Sequence, residues 1–284
     1  MIRRHVPALP LAILLFVSYP AAAQEAAHTN RACAADSTEC PLDQRYHSQL
    51  EQAQKLGARL YRQDLAAWLT TDALLAAGAF NGPSPGKALG WLTQDRDDGT
   101  WVGYFAEIEG APQVFAQATL VKDSRQVVGA TRLDEPRPAT SRELHQLAAR
   151  DTALAQNPLR CTDAPFNTVV LDDANDFVPG IQVFLLSAMT NDALPMGGYH
   201  QFRLSEDGSK VIDHYAQTRS CINESRRGLP NASALAITHL TSPTPTAFHV
   251  FMSLQYERPI YVGTTENGAM WKVEGTRISE VKEE

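Results

Sequence analysis

The chain has 284 residues, 44% of them hydrophobic and 20% charged, with four Cys and a formal net charge of −7. An apolar fraction this high, with charges of both signs, excludes a disordered chain, and four Cys in this length exclude a disulfide-built scaffold. The acidic balance argues against a dedicated nucleic-acid binder, and the length suits one large domain or two small ones.

Residues 1–23 read as a secretory signal peptide. Arg3 and Arg4 form its basic start, Leu9 to Val17 its apolar stretch, and Ala21, Ala22 and Ala23 the small residues before cleavage. The apolar stretch falls well short of the roughly 20 residues that span a bilayer. Without residues 1–23, the 25 basic residues lose Arg3 and Arg4 and face 32 acidic ones, a net charge of −9. No later stretch is apolar enough to span a membrane as a helix. The expected product is periplasmic or secreted, and the chain as a whole looks like an exported bacterial protein.

Export sets the reading of the cysteines, because an oxidising compartment favours disulfides. Of the three possible pairings the favoured one joins Cys33 to Cys40 and Cys161 to Cys221. The first closes a small loop and the second ties together two parts of the C-terminal half. No C-x-x-C occurs, so a thiol metal or redox site has no motif.

Residues 24–44 are small and polar, a flexible leader. From Tyr46 to Ala77 apolar residues recur at helical spacing: Leu50, Ala53, Leu56, Leu60, Ala67, Trp68 and Leu75. Gly78 and the turn cluster Asn81 to Gly86 end the helix. Its aromatic residues read as part of a core stripe rather than a ligand face. Residues 88–134 then change to period two, with strands at Trp101 to Glu107, Val114 to Val121 and Gln126 to Leu133. This is an antiparallel meander, expected to carry the helix on one face with Trp91 and Trp101 at the contact. Glu135 to Pro138 reads as a stiff linker. Thr140 and Glu143 have capping-box spacing at the head of a connector helix that stops at Asn157-Pro158.

From Cys161 the pattern is mostly strand: Thr168 to Leu171, Ile181 to Ala188, Tyr199 to Ser205, Val211 to Gln217, Leu235 to His239, Ile260 to Thr264 and Met270 to Val273. The expected class is therefore α+β: an N-terminal helix on an antiparallel β-meander, a connector helix, then a strand-rich mixed C-terminal domain. The boundaries fall at 45–138 and 139–284.

The most pointed segment for chemistry runs from Leu235 to Val250. An apolar strand ends in Thr238-His239, a Ser/Thr/Pro loop follows, and Thr246-Ala247-Phe248-His249 closes it. This resembles the metal loop of JAB/MPN-type (JAMM) zinc proteases. That resemblance implies a zinc held by His239 and His249, with a carboxylate acting on the zinc-bound water. The sequence departs from the family pattern in three places: Ile237 stands at the first His position, Ala247 at the Ser, and Val250 at the Asp. His200 or His214 would have to supply a third ligand. Phe248 to Leu254 alternates like a strand, and also places Phe248, Phe251, Met252 and Tyr256 on one face of a helix.

Other constellations are weaker. Asp172-Asp173-Ala174-Asn175-Asp176 offers oxygens to Ca²⁺ but lacks the Gly and final Glu of a calcium loop. Ser220, Ser225 and Ser242 are not in a nucleophile elbow. Arg219, Arg226 and Arg227 make a small basic spot near Cys221. With no complete catalytic set, the leading reading is an exported, non-enzymatic binding protein for an unknown protein or small molecule, with no cofactor and no nucleic acid. The alternative is a divergent JAB-like zinc hydrolase.

Overall fold

The structure, a computed structural model, describes residues 41–83, 85–172, 180–219, 221–225 and 232–282. The expected signal peptide, most of the leader, Cys33, Cys40, Asp173 to Asp176, Ser220, Arg226 and Arg227 lie outside the described residues.

After a short turn of helix, α1 (Leu42–Arg45), the chain forms the long helix α2 (His47–Ala76). Its C-terminus is set by sequence chemistry. Gly78 adopts φ +70°, which lets its N–H donate to Leu75 O and the Ala79 N–H to Leu74 O. This double bond pattern is a Schellman cap, and glycine takes the left-handed position at no steric cost.

The meander consists of β1 (Lys87–Arg96), β2 (Gly99–Ile108), β3 (Ala111–Val121) and β4 (Val127–Pro138), antiparallel in that order. One strand more forms than the three expected. The segment read as a linker is the end of β4, where Pro138 pairs with Gln113. Prolines are tolerated there because β4 is an edge strand whose outer N–H groups need no partner.

Both faces of the meander are covered. Val102, Tyr104, Ala116 and Leu120 meet Leu65, Ala66 and Leu74 of α2. The opposite face, with Leu92, Trp101, Phe105 and Val114, packs on α3 (Ser141–Ala155) and on a second sheet. Trp101 therefore corrects the sequence reading: it lies on the side away from α2, whereas Trp91 packs on the α2 side. Alternation assigns residues to two faces but does not say which element covers each. The α3 capping box forms as expected, with the Thr140 N–H donating to Glu143 Oε2 at 2.8 Å and the Glu143 N–H to Thr140 Oγ1 at 3.2 Å.

The second sheet has the order β5 (Asn167–Leu171), β6 (Ile181–Leu186), β8 (His200–Leu204), β9 (Val211–Ala216), with a small ladder of β7 (Ala193–Pro195) and β10 (Asn223–Ser225) beside it. Cys161 and Cys221 are disulfide-bonded, with Cα atoms 5.0 Å apart. The third sheet is mixed. β11 (Leu235–His239) and β12 (Ile260–Thr264) pair in parallel, joined through α4 (Ala247–Tyr256), and β13 (Met270–Glu274) and β14 (Arg277–Glu280) complete it. The architecture is α+β.

Helix α4 settles the ambiguous Phe248 to Leu254 segment as helix. It is buried nearly all round, so it has no polar face to reveal a helical period. It crosses α2 at Gly57, where a Cβ would come within 2.5 Å of Ala247 O and of Val250 Cβ. The N-terminal half of α2 (Leu50, Ala53, Leu60) shares one core with α4 and with strand residues between 169 and 278. Its C-terminal half belongs to the meander.

Candidate functional site

The two histidines singled out by sequence do meet. β11 alternates, so Leu235, Ile237 and His239 point inward while Thr238 faces outward. Thr238 therefore takes no part. The loop after β11 returns the chain to α4, whose N-cap is Thr246. His249 occupies the position where a capping box usually has Glu or Gln. Its Nδ1 accepts the Thr246 N–H at 2.9 Å and lies 3.1 Å from Thr246 Oγ1.

An accepting Nδ1 leaves the proton on Nε2, which lies 3.2 Å from the Gln217 carboxamide. The carboxamide atom placed there is Gln217 Nε2; turning the carboxamide over brings its oxygen, unpartnered among the described residues, to accept that proton. His239 stands edge-on to His249 with ring centroids 4.7 Å apart. Its Nε2 is 2.8 Å from Ser242 Oγ, which itself donates to Thr244 O at 2.6 Å. Burial pushes the His239 pKa down to about 4. Burial, with the neighbouring His239 ring, lowers His249 well below the usual imidazole value. Both rings are neutral at physiological pH.

The other residues do not join them. His200 Nε2 reaches Leu159 O at 2.9 Å and its Nδ1 meets His214 Nε2 at 3.1 Å, so these two pair with each other. Among the described residues no three His, Cys, Asp or Glu side chains gather where they could hold a metal ion. Asp172, from the acidic loop, is ion-paired with Arg142. Ser225 lies in β10, and Arg219 is exposed.

A different site lies beside α2, in a cleft of about 530 Å³. That volume is within the usual range for small-molecule sites. Three aromatic side chains, Tyr61, Trp68 and Trp91, line it together with Leu65, Met189, Asn167, Gln255, Glu257 and Arg125. Trp68 is 57% exposed, which corrects its expected place in the core stripe. Helical spacing puts it one turn beyond Asp64, at the edge of the stripe, and among the described residues no element covers that edge. Arg62 fixes the opposite wall. Its guanidinium donates to Ser124 O at 2.6 Å, to Leu120 O at 3.1 Å and to Val121 O. The β3–β4 turn is thereby tied to α2, with the Arg125 guanidinium 5.9 Å from the Trp68 ring.

Asp64 lines this cleft and is half-buried. Burial raises its pKa to about 6, against hydrogen bonds from Asn167 and Gln255 that favour the charged form. Among the described residues two polar atoms of the lining are buried without partners, the indole N–H of Trp91 and the carboxamide oxygen of Gln255. At the rim Glu257 closes α4 with φ +52° and ψ +41°, a left-handed conformation uncommon for a residue with a side chain.

Sequence reasoning missed Asp64, Asn167, Gln255 and Glu257. One signal was readable: Asp64 stands four residues from both Leu60 and Trp68, a carboxylate at core-face spacing. The remaining residues come from elements distant in sequence. No protein-family model, curated protein or solved structure matches the chain.

Proposed function

We propose that the protein is an exported, non-catalytic binding protein, and that its ligand is a small molecule held in the Asp64 cleft. The observation that carries this reading is an exposed indole, Trp68, lining one cleft with Tyr61, Trp91 and a half-buried carboxylate whose pKa burial raises. Aromatic faces offer stacking area, and a few convergent polar groups fix orientation. The Trp91 N–H and the Gln255 oxygen supply one unfilled donor and one unfilled acceptor. Glu257, in its left-handed conformation, fits the tendency of backbone strain to collect at binding sites. The disulfide and the leader-like residues 1–23 support export.

The test is tryptophan fluorescence of the whole protein with three probe classes: neutral monosaccharides, tetramethylammonium-type cations and aromatic carboxylic acids. Saturable quenching by one class, lost in Trp68→Ala, is the expected result. No saturable response to any class would remove the reading. The zinc-hydrolase alternative draws on the His239–His249 pair. It lacks a third ligand among the described residues, and both nitrogens of His249 are engaged, Nδ1 at the α4 N-cap and Nε2 against Gln217. Zinc titration of the wild type and of His239→Ala decides between the two.

A further inference from the structure

On another side of α2 lies a second, smaller cavity of about 220 Å³, between α2, β1, α3 and β5. Three of its lining side chains are almost fully buried: Gln63 at 1% exposure, Thr93 at 4% and Gln146 at 1%. Each has an oxygen without a hydrogen-bond partner among the described residues, Gln63 Oε1, Thr93 Oγ1 and Gln146 Oε1. Buried polar atoms are rarely left so, and three on the walls of one cavity mark a place built for something to fill it.

The chemistry of the filler follows from the chemistry of the lining. The Gln63 carboxamide cannot turn over, because its Nε2 donates to Asp95 Oδ1 at 2.5 Å. Its free atom is therefore an acceptor. Asp95 and Asp172 add carboxylates, each held by a guanidinium, from Arg59 and Arg142 respectively. An anion would meet the fixed Gln63 oxygen and two carboxylates, while the Arg59 and Arg142 guanidiniums that also line the cavity are already ion-paired. An acceptor-only molecule would leave Gln63 Oε1 unsatisfied, although the Thr93 hydroxyl can donate as well as accept. A compact donor fits. A primary ammonium carries three N–H donors and no acceptor, so it can meet the fixed Gln63 oxygen, the Thr93 hydroxyl and the Gln146 carboxamide oxygen beside two carboxylates. At ~30 Å³ per water molecule, the cavity has room for roughly seven, so a small organic amine can enter whole.

We propose that this cavity is a second ligand site, selective for a small primary amine whose ammonium group is held by Gln63, Thr93 and Gln146. The site is independent of the Asp64 cleft, and Trp68 takes no part in it.

The test is ligand-observed NMR and calorimetry on the whole protein with methylammonium as probe. Sodium at equal ionic strength and urea are the comparison solutes. Saturable methylammonium binding is expected, weakened about tenfold or more by Gln146→Leu and by Thr93→Val, as loss of a hydrogen bond to a charged group implies. Trp68→Ala should leave it unchanged. Absence of saturable binding to the wild type would overturn the proposal without reference to any variant, and would leave the cavity to water. An equal response to sodium or urea, or binding indifferent to both substitutions in folded protein, would overturn it as well.

Discussion

Asp64→Asn should make the protein more stable at neutral pH. The folded carboxyl has a pKa of about 6 against an ordinary value of 3.8, and the first cause is burial. A folded pKa raised above the unfolded one means that the folded state holds the extra proton between these values. Stability from this group is therefore present below about pH 4 and falls as pH rises through 6. A gap of this size between the folded and unfolded values corresponds to roughly 3 kcal/mol, reduced to about 2 kcal/mol because Asp64 is partly open to the cleft. A carboxamide cannot ionise and so avoids this cost. Gln255 accommodates it by turning its unpartnered oxygen toward the new amide. Urea unfolding followed by circular dichroism should show a gain of about 2 kcal/mol at pH 7.5 that shrinks toward zero at pH 4. A loss at pH 7.5, or the same gain at both pH values, would refute the account of Asp64 as a carboxylate held against its charge.

Other substitutions probe other joints. Gly57→Ala should destabilise by about 1–3 kcal/mol despite better helix propensity, because its Cβ meets Ala247 O and Val250 Cβ at 2.5 Å; thermal unfolding reads the sign directly. His249→Gln keeps the capping-box chemistry and should hold stability within about 1 kcal/mol at neutral pH. It should also be the more stable protein at pH 5, since the lowered His249 pKa gives stability present above the ordinary imidazole value and lost as pH falls. A collapse of His249→Gln at neutral pH would argue for a role beyond the cap. Glu257→Gly should add about 1 kcal/mol by relieving the left-handed residue, while weakening any ligand of the Asp64 cleft. Reducing Cys161–Cys221, which spans 60 residues, should cost about 4 kcal/mol by the loop-entropy relation, measured by urea unfolding with and without reductant.

Much of the backbone was legible from local rules. The α2 helix, the α3 capping box, the meander turns and most strands of the second half follow from spacing and turn residues. The structure, not the sequence reading, turned His239 inward and the candidate Thr238 outward on that strand. The sites were less legible. His239 and His249 were readable as a pair, but what each ring nitrogen does depends on Gln217 and Ser242, and the chain does not announce those contacts. Helix α4 could not be told from a strand, because burial on all sides erases the polar face that shows a helical period.

The sequence alone determined the α+β class, the helices α2 and α3 and most of the strands, because caps, turns and periodicities are short-range physics; it favoured Cys161–Cys221 among three pairings without fixing it. Tertiary structure alone decided which faces meet. It buried Trp101 away from α2, left Trp68 uncovered and gathered Asn167, Gln255 and Glu257 around Asp64. It also enclosed three unpartnered oxygens in one small cavity. The reason is the same in each case. Whether a side chain is core, wall or ligand contact depends on what lies opposite, and the opposite residue stands up to about 190 positions away along α2–α4.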